Sequence, residues 1–150
     1  MFRETAELYR DRGEGVWLLR CDGASRGNPG PAGAGMVLFD PQGRLQANQG
    51  RYLGETTNNV AEYQALLLGL EEAQRLGVKK LRVLADSELM VKQLTGLYRV
   101  KAPHLIPLWR AALFALKKFE AWTIAHVPRE ENHLADKAAN RAIDQKATGE

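Results

Sequence analysis

Four acidic residues stand where apolar surroundings make a solvated charge unexpected. Asp22 closes the run Val16-Trp17-Leu18-Leu19-Arg20-Cys21, and Asp86 closes Leu81-Arg82-Val83-Leu84-Ala85. Glu62 sits among Val60, Ala61, Tyr63 and Leu66; Asp136 sits among Leu134, Ala135, Ala138 and Ala139. Carboxylates gathered at one place repel one another and resist ionisation. A divalent cation relieves that repulsion, and Mg²⁺ takes a few carboxylate oxygens while keeping waters for exchange. Two such ions about 4 Å apart can hold both the attacking water and the leaving oxygen of a phosphodiester. Acids alone then suffice, without a serine or cysteine nucleophile. Taken singly, each acid has an ordinary alternative: Asp86 before Ser87 can equally cap a short helix. The joint pattern is what points to a site.

The elements that must position these acids follow from periodicity and punctuation. A first strand spans Val16–Asp22. The run 23–35, dense in Gly and Pro, reads as a long turn leading into a second strand, Met36–Asp40. Pro41-Gln42-Gly43 marks a hairpin turn into a third strand over about 44–53. Thr56-Thr57-Asn58-Asn59 supplies caps for a helix reaching about Leu76, apolar nearly all round at Leu66–Leu70 and therefore deeply buried. Lys80–Ala85 is a fourth strand, followed by a short helix after Asp86. A helix over about 104–119 keeps Leu105, Leu108, Trp109, Ala112, Leu113 and Leu116 on one face, which makes Trp109 a core residue. A fifth strand, Ala121–Val127, ends at Pro128, and a last helix spans about 130–146. The order predicts an α/β three-layer fold with a mixed five-stranded sheet: strands one to three antiparallel, four and five parallel to the first, helices on both faces. The first and fourth strands then lie side by side, bringing Asp22 and Asp86 to one crevice. One domain over 15–146 is expected, with a short extension at 1–14 and a tail at 147–150.

Composition bounds the partners. The chain has 150 residues, 45% hydrophobic and 26% charged, the balance of a folded globular protein. No apolar run approaches the ~20 residues that cross a bilayer, and the first residues lack the apolar segment of a secretory signal. The single cysteine, Cys21, excludes an internal disulfide and fits a reducing cytoplasm, the expected location; next to Asp22 it reads as a small buried hydrophobe. A net charge of +3 is compatible with a polyanionic partner without demanding one. The glycine-rich run 27–35 lacks the order of a dinucleotide or phosphate loop. No Cys/His set suits zinc. Lys79-Lys80 and Lys117-Lys118 are most simply solvated helix-end charges, although either pair could touch phosphate.

Four motifs together carry a family resemblance. Asp22-Gly23-Ala24-Ser25-Arg26-Gly27-Asn28-Pro29-Gly30-Pro31-Ala32-Gly33-Ala34-Gly35 resembles the first-strand motif of type 1 ribonuclease H. Thr56-Thr57-Asn58-Asn59-Val60-Ala61-Glu62-Tyr63 is similar to its helix motif, Asp86-Ser87 to its third acid, and the segment His126 to Asp136 to its fourth. The motifs run in the family's order and cover about residues 16–145. The resemblance implies an endoribonuclease that cuts the RNA strand of an RNA–DNA hybrid, leaving 3′-hydroxyl and 5′-phosphate ends. Asp22, Glu62, Asp86 and Asp136 would bind two Mg²⁺ or Mn²⁺ ions. Asn28, Thr57 and Asn59 match positions that contact the nucleic-acid backbone. The backbone at Gly23, Ala24 and Ser25 would approach the RNA closely, glycine leaving no side chain in the way. Selectivity would rest on the 2′-hydroxyl. No membrane or protein partner is implied, and a monomer is expected.

The departures from the pattern matter as much. The stretch between Asp86 and Asp136 is shorter than in the best-known bacterial members and lacks their basic protrusion. Arg99 and Lys101 are what remains of local basic charge, so the chain looks more like the archaeal-type, minimal branch, with a different substrate grip. Glu88 stands where many members have a glutamine, and an extra acid there would repel phosphate. His126, ten residues before Asp136, has the spacing of the family's proton-shuttling histidine. His133 and, as a charge stabiliser, Arg129 are rivals. Two other functions stay open at this point: a binding module that kept the fold without the activity, and a same-fold nuclease preferring double-stranded RNA or RNA–DNA junctions. Retention of all four acids argues for the enzyme.

Overall fold

The computed structural model describes residues 15–147; the expected extension at 1–14 and the final residues 148–150 lie outside it. Among the described residues there are five strands, β1 (Val16–Ser25), β2 (Gly30–Phe39), β3 (Leu45–Thr56), β4 (Lys80–Ala85) and β5 (Ala121–His126). The helices are α1 (Asn58–Arg75), α2 (Glu88–Leu94), α3 (Ile106–Leu116) and α4 (His133–Ala147), with a 3₁₀ turn at Arg129–Glu131. The sheet order is β3-β2-β1-β4-β5. β1 pairs antiparallel with β2 and β2 with β3, whereas β4 lies parallel to β1 and β5 parallel to β4. The expected mixed sheet and the β1–β4 adjacency are both present. Among the described residues, no helix is long and apolar enough to cross a membrane.

The glycine-rich segment differs from expectation. Residues 23–25 continue β1, and 30–35 already belong to β2, so the turn is confined to 26–29. The reason is tertiary. A Cβ at Gly33 would stand 2.4 Å from the Ala139 carbonyl oxygen, one at Gly35 2.3 Å from that of Ala135, and one at Gly50 2.3 Å from that of Ala138. These glycines are strand residues on which the backbone of α4 rests. The last helix starts later than expected, because Pro128 leads into the 3₁₀ turn before Asn132 and His133. α3 is shorter at both ends, 106–116 against 104–119, with Pro107 in its first turn where a missing N–H does no harm.

The opposite face of the sheet carries the main core. Trp17, Leu19 and Cys21 of β1 and Leu81, Val83 and Ala85 of β4 meet Tyr63, Leu66 and Leu70 of α1 and Ala112 and Leu116 of α3. Alternate residues of these strands point to one side, as a pleated strand requires. The leucine-rich stretch of α1 is buried, as its composition predicts.

Candidate active site

The parallel register of β1 and β4 builds the site. Cys21 pairs with Ala85, so Asp22 and Asp86 emerge together at the carboxyl end of the parallel part of the sheet. α1 brings the third acid. Thr57 caps it, its hydroxyl accepting from Val60 N at 3.3 Å. Glu62 then lies one turn in, its Oε1 accepting the Gly23 backbone N–H at 2.7 Å. Gly23 is required for that approach: a Cβ there would fall 2.2 Å from the Ala61 carbonyl carbon. The need for glycine at 23 is thus met by helix packing, whatever else passes over it.

Oxygens of Asp22, Glu62 and Asp86 lie within 4.8 Å of one another. Asp22 is buried, and burial followed by the charges of Glu62 and Asp86 pushes its pKa up to about 10. Burial followed by the Asp86 charge pushes Glu62 up to about 8, against the pull of the Gly23 N–H. Asp22 and Glu62 therefore resist ionisation unless a cation compensates the crowded negative charge. The donor set is made of oxygens only, which suits Mg²⁺ or Mn²⁺ better than zinc or copper. The residues therefore fit a divalent metal. Asp86 is also released from the ordinary alternative, since Ser87 caps α2 by accepting from Met90 N at 3.2 Å.

The fourth acid stands apart from this group. Asp136, in the first turn of α4, is half-buried and within hydrogen-bonding reach of Asp22. Its Oδ1 accepts from Asn140 Nδ2 at 3.2 Å and lies 3.8 Å from an Arg129 guanidinium nitrogen. Gly35, which seats α4, is the register partner of Asp22, so one close packing contact sets the distance between the first and fourth acids.

A cleft of about 470 Å³ opens over the acids, lined among others by Gly23, Ala24, Ser25, Arg26, Asn58, Arg129 and Asn140. Four of the substrate-contact expectations, Gly23, Ala24, Ser25 and Arg129, therefore line it. Asn28 instead buttresses α1, its Oδ1 accepting from Asn58 N at 3.0 Å, and Thr57 is occupied as the cap. Asn59 faces a separate groove of about 550 Å³ with Leu89, Gln93, Leu97, Tyr98, Arg99 and Lys101. That groove holds the residual basic charge noted above. His126 is exposed at the end of β5, opposite Ala85, and close enough to Glu88 to favour its charged form. His133 is exposed at the start of α4.

Several residues that shape the site are not among the site residues expected from the sequence. Asn132 is fully buried and its Nδ2 donates to the Cys21 carbonyl at 2.9 Å, tying the start of α4 to the strand end beside Asp22. Arg20 makes a parallel tie, donating to the Glu131 carbonyl at 2.7 Å. Tyr63, next to Glu62, donates to Gln93 Oε1 at 2.6 Å and so braces α1 against α2. Asn140 alone was within reach of sequence reasoning, because it follows Asp136 by one helical turn.

A family model described as reverse transcriptase-like matches residues 20–142. A ribonuclease HI of Halobacterium salinarum is 44% identical over 140 residues, 93% of this chain and 70% of that protein. Its crystal structure superposes with a TM-score of 0.85, covering 87% of this chain and 99% of that one. A bifunctional protein of Mycobacterium tuberculosis is 41% identical over 87% of this chain; the chain spans only 36% of that relative's length. The structure of LC11-RNase H1 in complex with an RNA/DNA hybrid is similar at 40% identity, with a TM-score of 0.83 over 87% of this chain and 99% of that one.

Proposed function

The chain belongs to the type 1 ribonuclease H family and is a ribonuclease H, and from that premise we propose that it hydrolyses the RNA strand of RNA–DNA hybrids by two-metal-ion catalysis. The observation that carries the metal reading is the group of three carboxylates, Asp22, Glu62 and Asp86, with oxygens within 4.8 Å of one another beneath an open cleft. The hybrid bound in the LC11 structure supports the substrate class.

Asp22, Glu62 and Asp86 would hold the ions from the floor of the cleft, and Asp136 would close the set from α4. Two Mg²⁺ or Mn²⁺ ions, when bound, supply the positive charge that polarises the attacking water and stabilises the leaving oxygen. Water adds to phosphorus and the bond to the 3′-oxygen breaks, leaving a 3′-hydroxyl and a 5′-phosphate. Gly23, Ala24 and Ser25 present backbone groups along the cleft wall and Asn59 follows the nucleic-acid backbone away from it, while Asn28 and Thr57 hold the start of α1 in place beside that path. Arg129, exposed beside Asp136, places a cation where phosphate charge develops. His126, the last residue of β5, takes or returns the proton exchanged with water or the leaving group.

The test is cleavage of a labelled RNA–DNA hybrid with and without Mg²⁺ or Mn²⁺, with Asp86→Asn alongside. Metal-dependent cutting by the wild type and none by folded Asp86→Asn is expected, and a chelator stops the reaction. Turnover by Asp86→Asn at the wild-type rate would remove the site assignment. Double-stranded RNA and RNA–DNA junctions run beside the hybrid establish the preference, and faster cutting of either would displace the hybrid from this proposal.

A further inference from the structure

The wall of the cleft nearest α4 is strung together by side chains that start on a different element. Arg26 lies in the four-residue turn between β1 and β2 and lines the cleft. Its Nη1 is 2.6 Å from Asp144 Oδ1, and its Nη2 donates to Asn140 Oδ1 at 3.1 Å and to the Asn140 carbonyl at 3.4 Å. Asn140 Nδ2 donates in turn to Asp136, to the carbonyl at 3.0 Å and to the carboxylate Oδ1 at 3.2 Å.

The direction of this string is dictated by its first member. A guanidinium has five N–H donors and no acceptor, so the Asn140 group facing Arg26 must be the carbonyl oxygen. The amide nitrogen is then forced towards Asp136. The reversed amide would set NH₂ against a cation and an oxygen against a carboxylate, two repulsive contacts in place of two attractive ones. Arg26 therefore decides that Asp136 receives a donor, and the donor pins one oxygen of that carboxylate on the side of α4.

We propose that Arg26 is a positioning residue for Asp136, acting through the amide of Asn140 to orient the fourth acid towards the three-carboxylate group. The inference rests on the assignment of Asp136 as a metal-binding acid. It adds to that assignment a residue from the turn between β1 and β2. An arginine placed only to touch phosphate would leave Asp136 unaffected by its loss. One placed only to dock α4 would act through the Asp144 ion pair.

Four variants separate these cases: Arg26→Ala, Asn140→Ala, their double mutant and Asp144→Asn. Steady-state cleavage is read together with calorimetric Mn²⁺ binding to the free enzyme. Losing an outer partner of a metal ligand typically weakens metal affinity or activity by about 10–100-fold. Arg26→Ala is expected to lower kcat and Mn²⁺ affinity by about tenfold or more, with KM for the hybrid within about twofold. Asn140→Ala gives the same loss, and the double mutant is no worse than Asn140→Ala, because both break one string. Asp144→Asn keeps near wild-type kcat and Mn²⁺ affinity. The proposal is overturned by a loss confined to KM that varies with salt, by losses that multiply in the double mutant, or by an equal kcat loss in Asp144→Asn. Asp136→Asn distinguishes the two levels of the argument. If it binds Mn²⁺ and turns over like wild type, the acid assignment itself fails. If it is inactive while Arg26→Ala is unaffected, only the positioning role fails.

Discussion

The two faces of the sheet are packed by opposite means. On one, large side chains such as Tyr63, Leu66, Leu70, Leu116 and Phe119 fill a thick layer between strands and helices. On the other, α4 presents Ala135, Ala138, Ala139 and Ala142, all buried, to Gly33, Gly35 and Gly50. The first arrangement buries much apolar surface, at about 0.8 kcal/mol for each CH₂ removed from water. The second buries little per residue but sets helix backbone directly on strand backbone. The site lies where both faces end. Glu62 comes from the thick face, Asp136 from the thin one, and Asp22 and Asp86 from the sheet between them. Bulk secures the three-carboxylate floor, and close approach sets the distance to the fourth acid.

The contrast is broken most severely by filling the thin face. A Cβ at Gly35 would meet the Ala135 carbonyl oxygen at 2.3 Å and the Ala139 nitrogen at 2.4 Å, both helix backbone that no rotamer change can move. Gly35→Ala should therefore lift α4 away from Asp22, destabilise the fold by about 3 kcal/mol and lower kcat at least about tenfold. Gly69→Ala is the matched substitution on the thick face. Its Cβ meets the Leu19 side chain, nearest at 2.5 Å, and a leucine can shift while the helix gains about 1 kcal/mol of propensity. Thermal melts and kcat on both proteins check the pair; equal damage from the two would mean that the faces do not differ as described.

A smaller effect sharpens the electrostatic half of the contrast. Asp22 and Glu62 have pKa values raised in the fold above their ordinary carboxylate values, to about 10 and about 8. Groups of that kind contribute most stability below the unfolded pKa. The contribution is lost as pH rises through the folded value, because only the unfolded chain ionises readily in between. In chelator, the wild type should lose stability relative to Asp22→Asn as pH rises from about 4 towards 8, so that Asp22→Asn melts several degrees higher at pH 8. Mg²⁺ should reverse the order by stabilising the wild type alone. Parallel pH profiles for the two proteins in chelator would show that the acids do not repel one another.

What could be read from the chain divides along the same line. β4, the capped start of α1 and the β1–β4 adjacency follow from local patterns, so Asp22, Glu62 and Asp86 were within reach. The start of β2 was not. Its glycines resemble turn signals, and their cause is a helix more than 90 residues later in the chain. Asp136 was legible as an acid on an apolar helix, and Asn140 follows from helical spacing. Arg26 and Asn132 were not legible as site residues, because their partners are set by strand register and by the angle at which α4 enters. Tertiary approach, unlike periodicity, leaves no repeating mark in one sequence.

The smallest effect concerns Glu88, the extra acid two residues past Asp86. Its Oε2 lies 3.0 Å from Lys92 Nζ one helical turn on, and its side chain is 61% exposed. The Lys92 hydrogen bond, then the attraction of its charge, and last His126 hold the Glu88 carboxyl below its usual range, so it is ionised at neutral pH. That negative charge is answered on its own helix and screened by solvent, with a Debye length of about 8 Å at physiological salt. Asp136 is the contrasting case, an acid bonded by Asn140 of its own helix, which Arg26 of the turn after β1 engages in turn, and faced by Arg129 of the 3₁₀ segment. Glu88→Gln should therefore leave kcat and KM within about twofold at physiological salt, since exposed ion pairs carry little energy. A KM several-fold lower in Glu88→Gln would mean that Lys92 does not mask the acid, and that the rim of the thick face repels the substrate's phosphates.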